Sequence, residues 1–296
     1  MSQHTGRTHG QARPTEGTLS LVATPIGNLE DITLRALRVL RECDVILAED
    51  TRRTWQLLKA HGIDEGRSVE RLDDHVAWHK AHSLVARMRD ERAWMALVTD
   101  AGTPMVSDPG ALLARAAIEA GVVVESVPGP SAAVSALLVS GLAADGFRFV
   151  GFLPREGTER TSALATLARD PLPTVLYESP NRTHETLGDL ARACGPERRA
   201  AVARELTKLH EEVLRGTLAE LIERTKDGLL GEVSIVVDGG VASAADSSED
   251  AMDRALDTAM AAGMKPSAAA REVAKALGLD RAAVYARAVE RAKSAG

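Results

Sequence analysis

The sequence has little with which to hold a nucleotide by its phosphates, bind a metal or cross a membrane. Neither GxGxxG nor GxxxxGK[ST] occurs in its 296 residues, so the two usual phosphate cradles are missing. Its two cysteines, Cys43 and Cys194, lie far apart at no metal-ligand spacing. His4, His9, His61, His79, His82, His184 and His210 have no ligand-like company either, so no metal is expected. Scarce cysteine also implies no disulfide framework and fits a reducing, cytoplasmic setting. No apolar run approaches the ~18 residues of a membrane helix. A net charge of −6 gives no global basic field to attract nucleic acid, so charge must be read segment by segment. The opening "MSQHTGRTHGQARPTEG" is polar, has no apolar signal core, and reads as a disordered extension over 1–17.

What the chain does have is alternation. "LSLVAT" reads as a strand, and "LRALRVLREC" repeats its leucines at helical spacing behind Asp31 or Thr33 as a cap. Strand-like "DVILAED", "WMALVTD" and "VVVESVP" follow with helical runs between them. Such regular alternation implies an α/β protein with mainly parallel pairing in its first part. From "TVLYES" onward the strands "AAVAREL", "HEEVLRG" and "EVSIVVDG" crowd together, which favours a mixed sheet with antiparallel pairs. Two α/β domains are expected, over 18–128 and 129–238. The small, acidic stretch at 239–250 reads as a linker. Residues 251–296 read as a helical module. One helix ends near Gly278, and Asp280 caps the next from Arg281, a helix-turn-helix pattern. From residue 264 on there are seven basic and three acidic residues on an otherwise negative chain. An ordinary charged hairpin would look similar; the linker and the charge reversal favour a nucleic-acid clamp.

The Gly/Pro-rich junctions all follow strands. They are "TPIGNLED", "EDTRRT", "TDAGTPMVSDPG" and "PGPSAAV". In open α/β sheets ligands bind beyond the carboxyl ends of the strands. Glycine allows close backbone approach, and the small residues opening a helix at Ser131 leave N–H groups for an anionic or polar edge. The set suits a compact ligand with a carboxylate, an amine and a flat ring.

The segments "LVATPIGNLEDITLRALRVLRECDVILAEDTRRT", "VTDAGTPMVSDPG", "VPGPSAAVSALLVSGL" and "FVGFLPR" closely resemble the tetrapyrrole-methylase superfamily. Within it they resemble the bacterial branch that methylates cytidine 2′-oxygens of small-subunit ribosomal RNA. The resemblance covers roughly 18–238 and extends into the tail. Ala23 stands where the family usually has Pro, and Thr99 where it usually has Ser. The resemblance implies S-adenosylmethionine in a cleft between two α/β domains. It implies cofactor contacts at Pro25, Asp100, Gly102, Thr103, Ser107, Asp108, Ser131 and Ala132. From the second domain it implies contacts at Phe152, Tyr177 and Ala203. It also implies a homodimer and 16S ribosomal RNA, in the small subunit, as substrate. For Thr103 and Asp108, local turn capping is the competing explanation.

Methyl transfer to a ribose hydroxyl asks for positioning and benefits from a general base. The charged candidates at strand ends are Glu49, Asp50, Arg52, His75, Glu178, Arg182, Arg204, Glu205 and Lys208. Asp50, Arg52, Glu178 and Lys208 are the catalytic candidates. Arg52 is expected to hold a phosphate, and Asp50 to orient it or take the proton. A structural ion-pair network between domains accounts for the same residues. Two other functions remain open at this stage. One is a methylase of a tetrapyrrole ring, and the other is a ligand-sensing DNA regulator.

Overall fold

A computed structural model describes residues 13–63, 66–72, 74–104, 110–143, 145–240, 248–261 and 264–294. The chain divides into two compact units, one of residues 1–168 and 172–238, the other of 169–171 and 239–296.

The first unit holds two five-stranded sheets. Strands β1 (Thr18–Val22), β2 (Val45–Ala48), β3 (Ser68–Arg71), β4 (Trp94–Val98) and β5 (Val123–Val127) form the first, in the order β3-β2-β4-β1-β5. All its pairings are parallel. Helices α1 (Leu34–Glu42), α2 (Thr51–Ala60), α3 (Asp74–Asp90) and α4 (Ala111–Glu119) alternate with the strands. The central strands β2 and β4 are buried along their whole length, as a sheet covered on both faces requires. Successive β4 residues feed opposite cores. Met95 and Leu97 pack with Leu84, Met88 and Leu113, while Trp94, Ala96 and Val98 pack with Val39, Leu40 and Leu58. The indole Nε1 of Trp94 donates to Ser20 Oγ at 2.8 Å, so the buried ring keeps its polar atom satisfied.

α5 (Ala132–Ser140) leads into the second sheet and packs on it, with Ala136 and Leu137 against Val175, Ala201 and Val236. That sheet contains β6 (Arg148–Phe152), β7 (Thr174–Glu178), β8 (Arg199–Arg204), β9 (Glu212–Thr217) and β10 (Val233–Val237). Its order is β6-β7-β10-β8-β9; β6 and β7 are parallel and the other neighbours antiparallel. α6 (Gly157–Arg169), α7 (Pro180–Cys194) and α8 (Leu218–Arg224) complete it.

The second unit contains α9 (Ser248–Ala261), α10 (Pro266–Leu277) and α11 (Arg281–Ser294). Leu256, Ala269, Ala270, Val273, Val284 and Ala288 form its core. Gly278 ends α10 at φ +66°, and Asp280 Oδ2 accepts the Ala283 N–H at 3.0 Å to open α11.

Two of the expected segments include residues with defined contacts. Residues 1–12 of the expected disordered extension lie outside the described residues, and 13–17 are exposed or half-buried. Arg13 pairs with Asp44, and the Gly17 carbonyl accepts from Val123 N at 3.3 Å, extending the ladder beside β5. The acidic stretch expected to be linker through residue 250 is already helical at Ser248; 241–247 lie outside the described residues. The reason is that α9 supplies Met252 and Leu256 to the module's core, a long-range demand that composition does not reveal.

Candidate active site

A cavity of about 350 Å³ opens between the loops of the two sheets. Ile26 after β1, Ala101, Gly102 and Thr103 after β4, and Ser131 and Ala132 at the start of α5 form one wall. Phe152, Tyr177, Glu178, Ala203, Leu206 and the Gly231–Ser234 segment supply much of the other.

Backbone hydrogen bonds hold the first wall. Thr24 and Gly102 exchange N–H···O bonds of 2.9 and 3.1 Å, clamping the loop after β1 to the loop after β4. Gly102 sits at φ +84°, a region glycine enters without steric cost, and a Cβ there would meet Ile26 at 3.3 Å. The Thr103 hydroxyl donates to the Pro130 carbonyl oxygen at 3.0 Å. Ser131 is the N-cap of α5 but makes no side-chain cap, so the first-turn N–H groups are not satisfied by it.

The second wall is aromatic at one end and ionic at the other. Tyr177 meets Phe149 and Phe152 edge-on, with centroids 5.0 and 5.7 Å apart, and Phe152 stays 60% exposed. At the other end, Lys208 Nζ lies 2.9 Å from Glu205 Oε1 and 3.0 Å from Glu232 Oε2. Partial burial pulls the Lys208 ammonium down, but hydrogen bonds to Glu205 and Glu232 outweigh it and raise the net value. The Lys208 hydrogen bond, helped by the Glu232 N–H, holds the Glu205 carboxyl below its ordinary value. Glu205 and Thr207 adopt φ +50° and +67°, and the Thr207 hydroxyl accepts the Asn28 N–H at 3.0 Å. That bond ties the loop after β8 to the loop after β1.

Residues 18–222 match the family model for tetrapyrrole (corrin/porphyrin) methylases, and residues 245–292 match that for the RsmI C-terminal HTH domain. A ribosomal RNA small subunit methyltransferase I from Mesorhizobium japonicum is 43% identical over 293 residues, covering 98% of both chains. The chain belongs to this methyltransferase I family. The Xylella fastidiosa relative of the same name is 44% identical, over 92% of this chain and 98% of its own. Among solved structures, a Thermus thermophilus uroporphyrin-III C-methyltransferase superposes with a TM-score of 0.53 at 25% identity, over 75% of this chain and 94% of its own. A cobalt precorrin-4 methyltransferase at 19% identity and TM-score 0.57, over 77% of this chain and 98% of its own, shares the fold.

In this family member the cavity gathers Gly102, Thr103, Ser131, Ala132, Phe152, Tyr177 and Ala203 from the expected cofactor contacts. Pro25 is replaced on the wall by its neighbour Ile26. Asp100 is turned elsewhere. Its Oδ1 accepts the Asp50 N–H at 3.0 Å and its Oδ2 lies 3.5 Å from Arg53 Nη1, so it braces the start of α2. Ser107 and Asp108 lie outside the described residues.

The four catalytic candidates separate. Glu178 lies on the cavity wall, 4% exposed, accepting from Ser179 N at 2.8 Å and Thr186 Oγ1 at 2.7 Å. Thr186 in turn accepts from buried Arg160 at 3.0 Å, and Arg160 pairs with Asp189. Lys208 flanks the wall through Glu232. Asp50 and Arg52 do not line the cavity. Asp50 caps α2, and its two oxygens take the Arg52 Nε and Nη2 at 3.1 and 2.7 Å. The Arg52 side chain's hydrogen bonds drive the Asp50 carboxyl far below the usual carboxylate range. Of the other charged candidates, Arg204 pairs with Glu212 at 2.8 Å, and Arg182 donates to the Arg155 carbonyl oxygen at 3.1 Å. The His75 side chain lies outside the described residues. Sequence reasoning missed Leu206, Glu232 and Ser234. The turn glycine Gly231, at φ +87° before β10, was the available signal.

Proposed function

We propose that this chain transfers the methyl group of S-adenosylmethionine to the ribose 2′-oxygen of a cytidine in 16S ribosomal RNA. One observation carries the reading. A cleft cavity between two methylase-type sheets occurs in the same chain as a helix-turn-helix module matched to the C-terminal domain of that RNA methyltransferase family. The residues present suit the cofactor. The uncapped α5 start offers backbone N–H groups to a carboxylate, and the Gly102 cradle admits close approach. Ile26, Ala203, Leu206 and Tyr177 give apolar contact to a flat ring system. When bound, the cofactor supplies a methyl already activated by its positive sulfur.

The chain's own contribution is then positioning. Glu178 fixes the β7–α7 turn through Ser179 and Thr186, which places Pro180 and Tyr177 on the cavity wall. Lys208, held as a cation between two carboxylates, fixes the loop that carries Leu206. Asp50, held ionised by Arg52, is a poor proton acceptor and serves as cap and partner. The helical module binds RNA phosphate. Arg287 and Arg291 are occupied by Asp253 and Asp257, leaving exposed Lys265, Arg271, Lys275 and Arg281 for that task.

The substrate is RNA in the small ribosomal subunit, met in the cytoplasm. The working form is a homodimer, a reading supported by exposed Val134 and Leu138 one turn apart on α5. Incubation with labelled S-adenosylmethionine and either small subunits, a uroporphyrinogen-type ring or duplex DNA tests the function. Label confined to RNA, alkali-stable at one cytidine, is expected. Label on the ring instead overturns it.

A further inference from the structure

Phe152 borders two cavities. A second recess, about 640 Å³, runs between β6 and α6 and shares that residue with the cavity. Val150, Phe152 and Leu153 supply its apolar side. Thr158, Ser162 and Thr166, spaced four residues apart along α6, supply hydroxyl groups from the facing side. β6 is an edge strand, paired with β7 alone in its sheet.

The turn after β6 follows Phe152, and its Leu153 and Pro154 line the recess. Its backbone is anchored, because the Arg155 carbonyl oxygen accepts from Arg182 Nη2 at 3.1 Å. Arg182 belongs to α7, whose first residue, Pro180, lines the cavity. The Arg155 side chain is exposed and makes no ion pair with any described residue. Most other arginines around the cleft, Arg52, Arg53, Arg160 and Arg204, are paired with carboxylates. A fixed backbone with an unpaired guanidinium suits an anion brought from outside the protein.

We infer that the β6–α6 recess is the track of the single RNA strand flanking the target nucleotide. A flanking base stacks on the exposed Phe152 ring, Arg155 holds the adjoining phosphate, and the α6 hydroxyls meet ribose and base edges. The inference rests on the RNA-methylation reading above and specifies where its substrate lies. Arg148 and Glu159 line the recess and offset each other in formal charge, so exposed Arg155 on the adjoining turn supplies the charge that selects the occupant. An unpaired guanidinium beside an exposed aromatic ring and a row of hydroxyls is the chemistry of a single-stranded nucleic acid path. Phe152, shared by the recess and the cavity, places the neighbouring nucleotide beside the cleft.

The test compares Arg155→Ala, Arg155→Lys and Ser162→Trp with the parent chain, using small ribosomal subunits and labelled S-adenosylmethionine. Arg155→Ala should raise the KM for RNA about tenfold with kcat and cofactor affinity unchanged. It should also flatten the slope of log(kcat/KM) against log salt by about 0.7 to 0.9, one phosphate contact. Arg155→Lys should restore most of the slope, since it keeps the charge. Ser162→Trp fills the recess and should raise the KM with no change in cofactor affinity or sedimentation. If the parent labels RNA but Arg155→Ala and Ser162→Trp match it in KM and salt slope, the track assignment is overturned and the function stands. If Ser162→Trp instead dissociates a dimer, the recess is an interface between copies and the assignment is equally overturned. If the parent labels no RNA, the functional reading itself falls, and the track with it.

Discussion

The Thr103 hydroxyl donates a 3.0 Å hydrogen bond to the Pro130 carbonyl oxygen, joining the loop after β4 to the turn that opens α5. Both loops line the cavity, so this bond sets the distance between the two backbones that the proposed cofactor contacts would use. Thr103→Val keeps the shape and loses the bond, worth ~1 kcal/mol. Cofactor affinity by titration calorimetry should fall several-fold with the melting temperature nearly unchanged. Unchanged affinity would reduce the contact to an ordinary turn.

Asp50 and Arg52 offer a second test. If Asp50 only caps α2 and aligns Arg52, Asp50→Asn keeps the cap and should retain transfer within a few-fold. A general base would show a loss of roughly 10²–10⁴ in kcat instead. Arg52→Ala, at an 87% exposed side chain, should lower transfer to RNA while cofactor affinity holds. A variant that melts early and loses cofactor would make the pair purely structural.

The pocket lip depends on Gly231. A Cβ there would meet Glu205 Cδ at 2.4 Å, and its φ of +87° strains any other residue. Glu205 cannot simply move, because Lys208 and the Glu232 N–H both hold its carboxylate. Gly231→Ala should therefore cost ~1 kcal/mol or more in stability and weaken cofactor binding. Chemical denaturation alongside calorimetry reads both.

The Glu205–Lys208–Glu232 clasp also predicts a pH window. Glu205 is depressed, so its stabilising contribution is present above the ordinary carboxylate range and lost as pH falls through its folded value. Lys208 is raised, so its contribution is present below the ordinary ammonium value and lost as pH rises through its folded one. The clasp's contribution to folding stability should be flat from roughly pH 5 to pH 10, as reference values for these groups imply. Lys208→Met should lower the stability measured by chemical denaturation across that window. A bell centred near pH 7 would point to a different titrating group.

In the helical module, Arg287 and Arg291 bind Asp253 at 2.7 and 2.9 Å. Reversing Arg271 and Lys275 to Glu should weaken RNA binding and reduce its salt dependence without melting the module. Asp253→Ala should lower module stability first. The chain ended after Gly240 should still bind cofactor but methylate small subunits poorly, the loss growing with salt. Equal rates with and without the module would assign it to stability or dimerisation.

Local chemistry was legible in the sequence. Thr33 caps its helix, Gly278 and Asp280 frame the turn of the module, and buried β2 and β4 read as unbroken apolar runs. These features depend on neighbours a few residues apart, whose spacing the sequence states directly. Motifs at the strand ends likewise located the cavity's first wall. Which charged groups meet was decided by tertiary structure alone. Lys208 finds Glu232, Asp100 turns to α2, and Arg287 and Arg291 bind α9. Those pairs join residues from 24 to 50 positions apart. Their partners are set by sheet order and loop crossing, and an ionic side chain's pattern in the sequence is the same whether it faces a substrate or another helix.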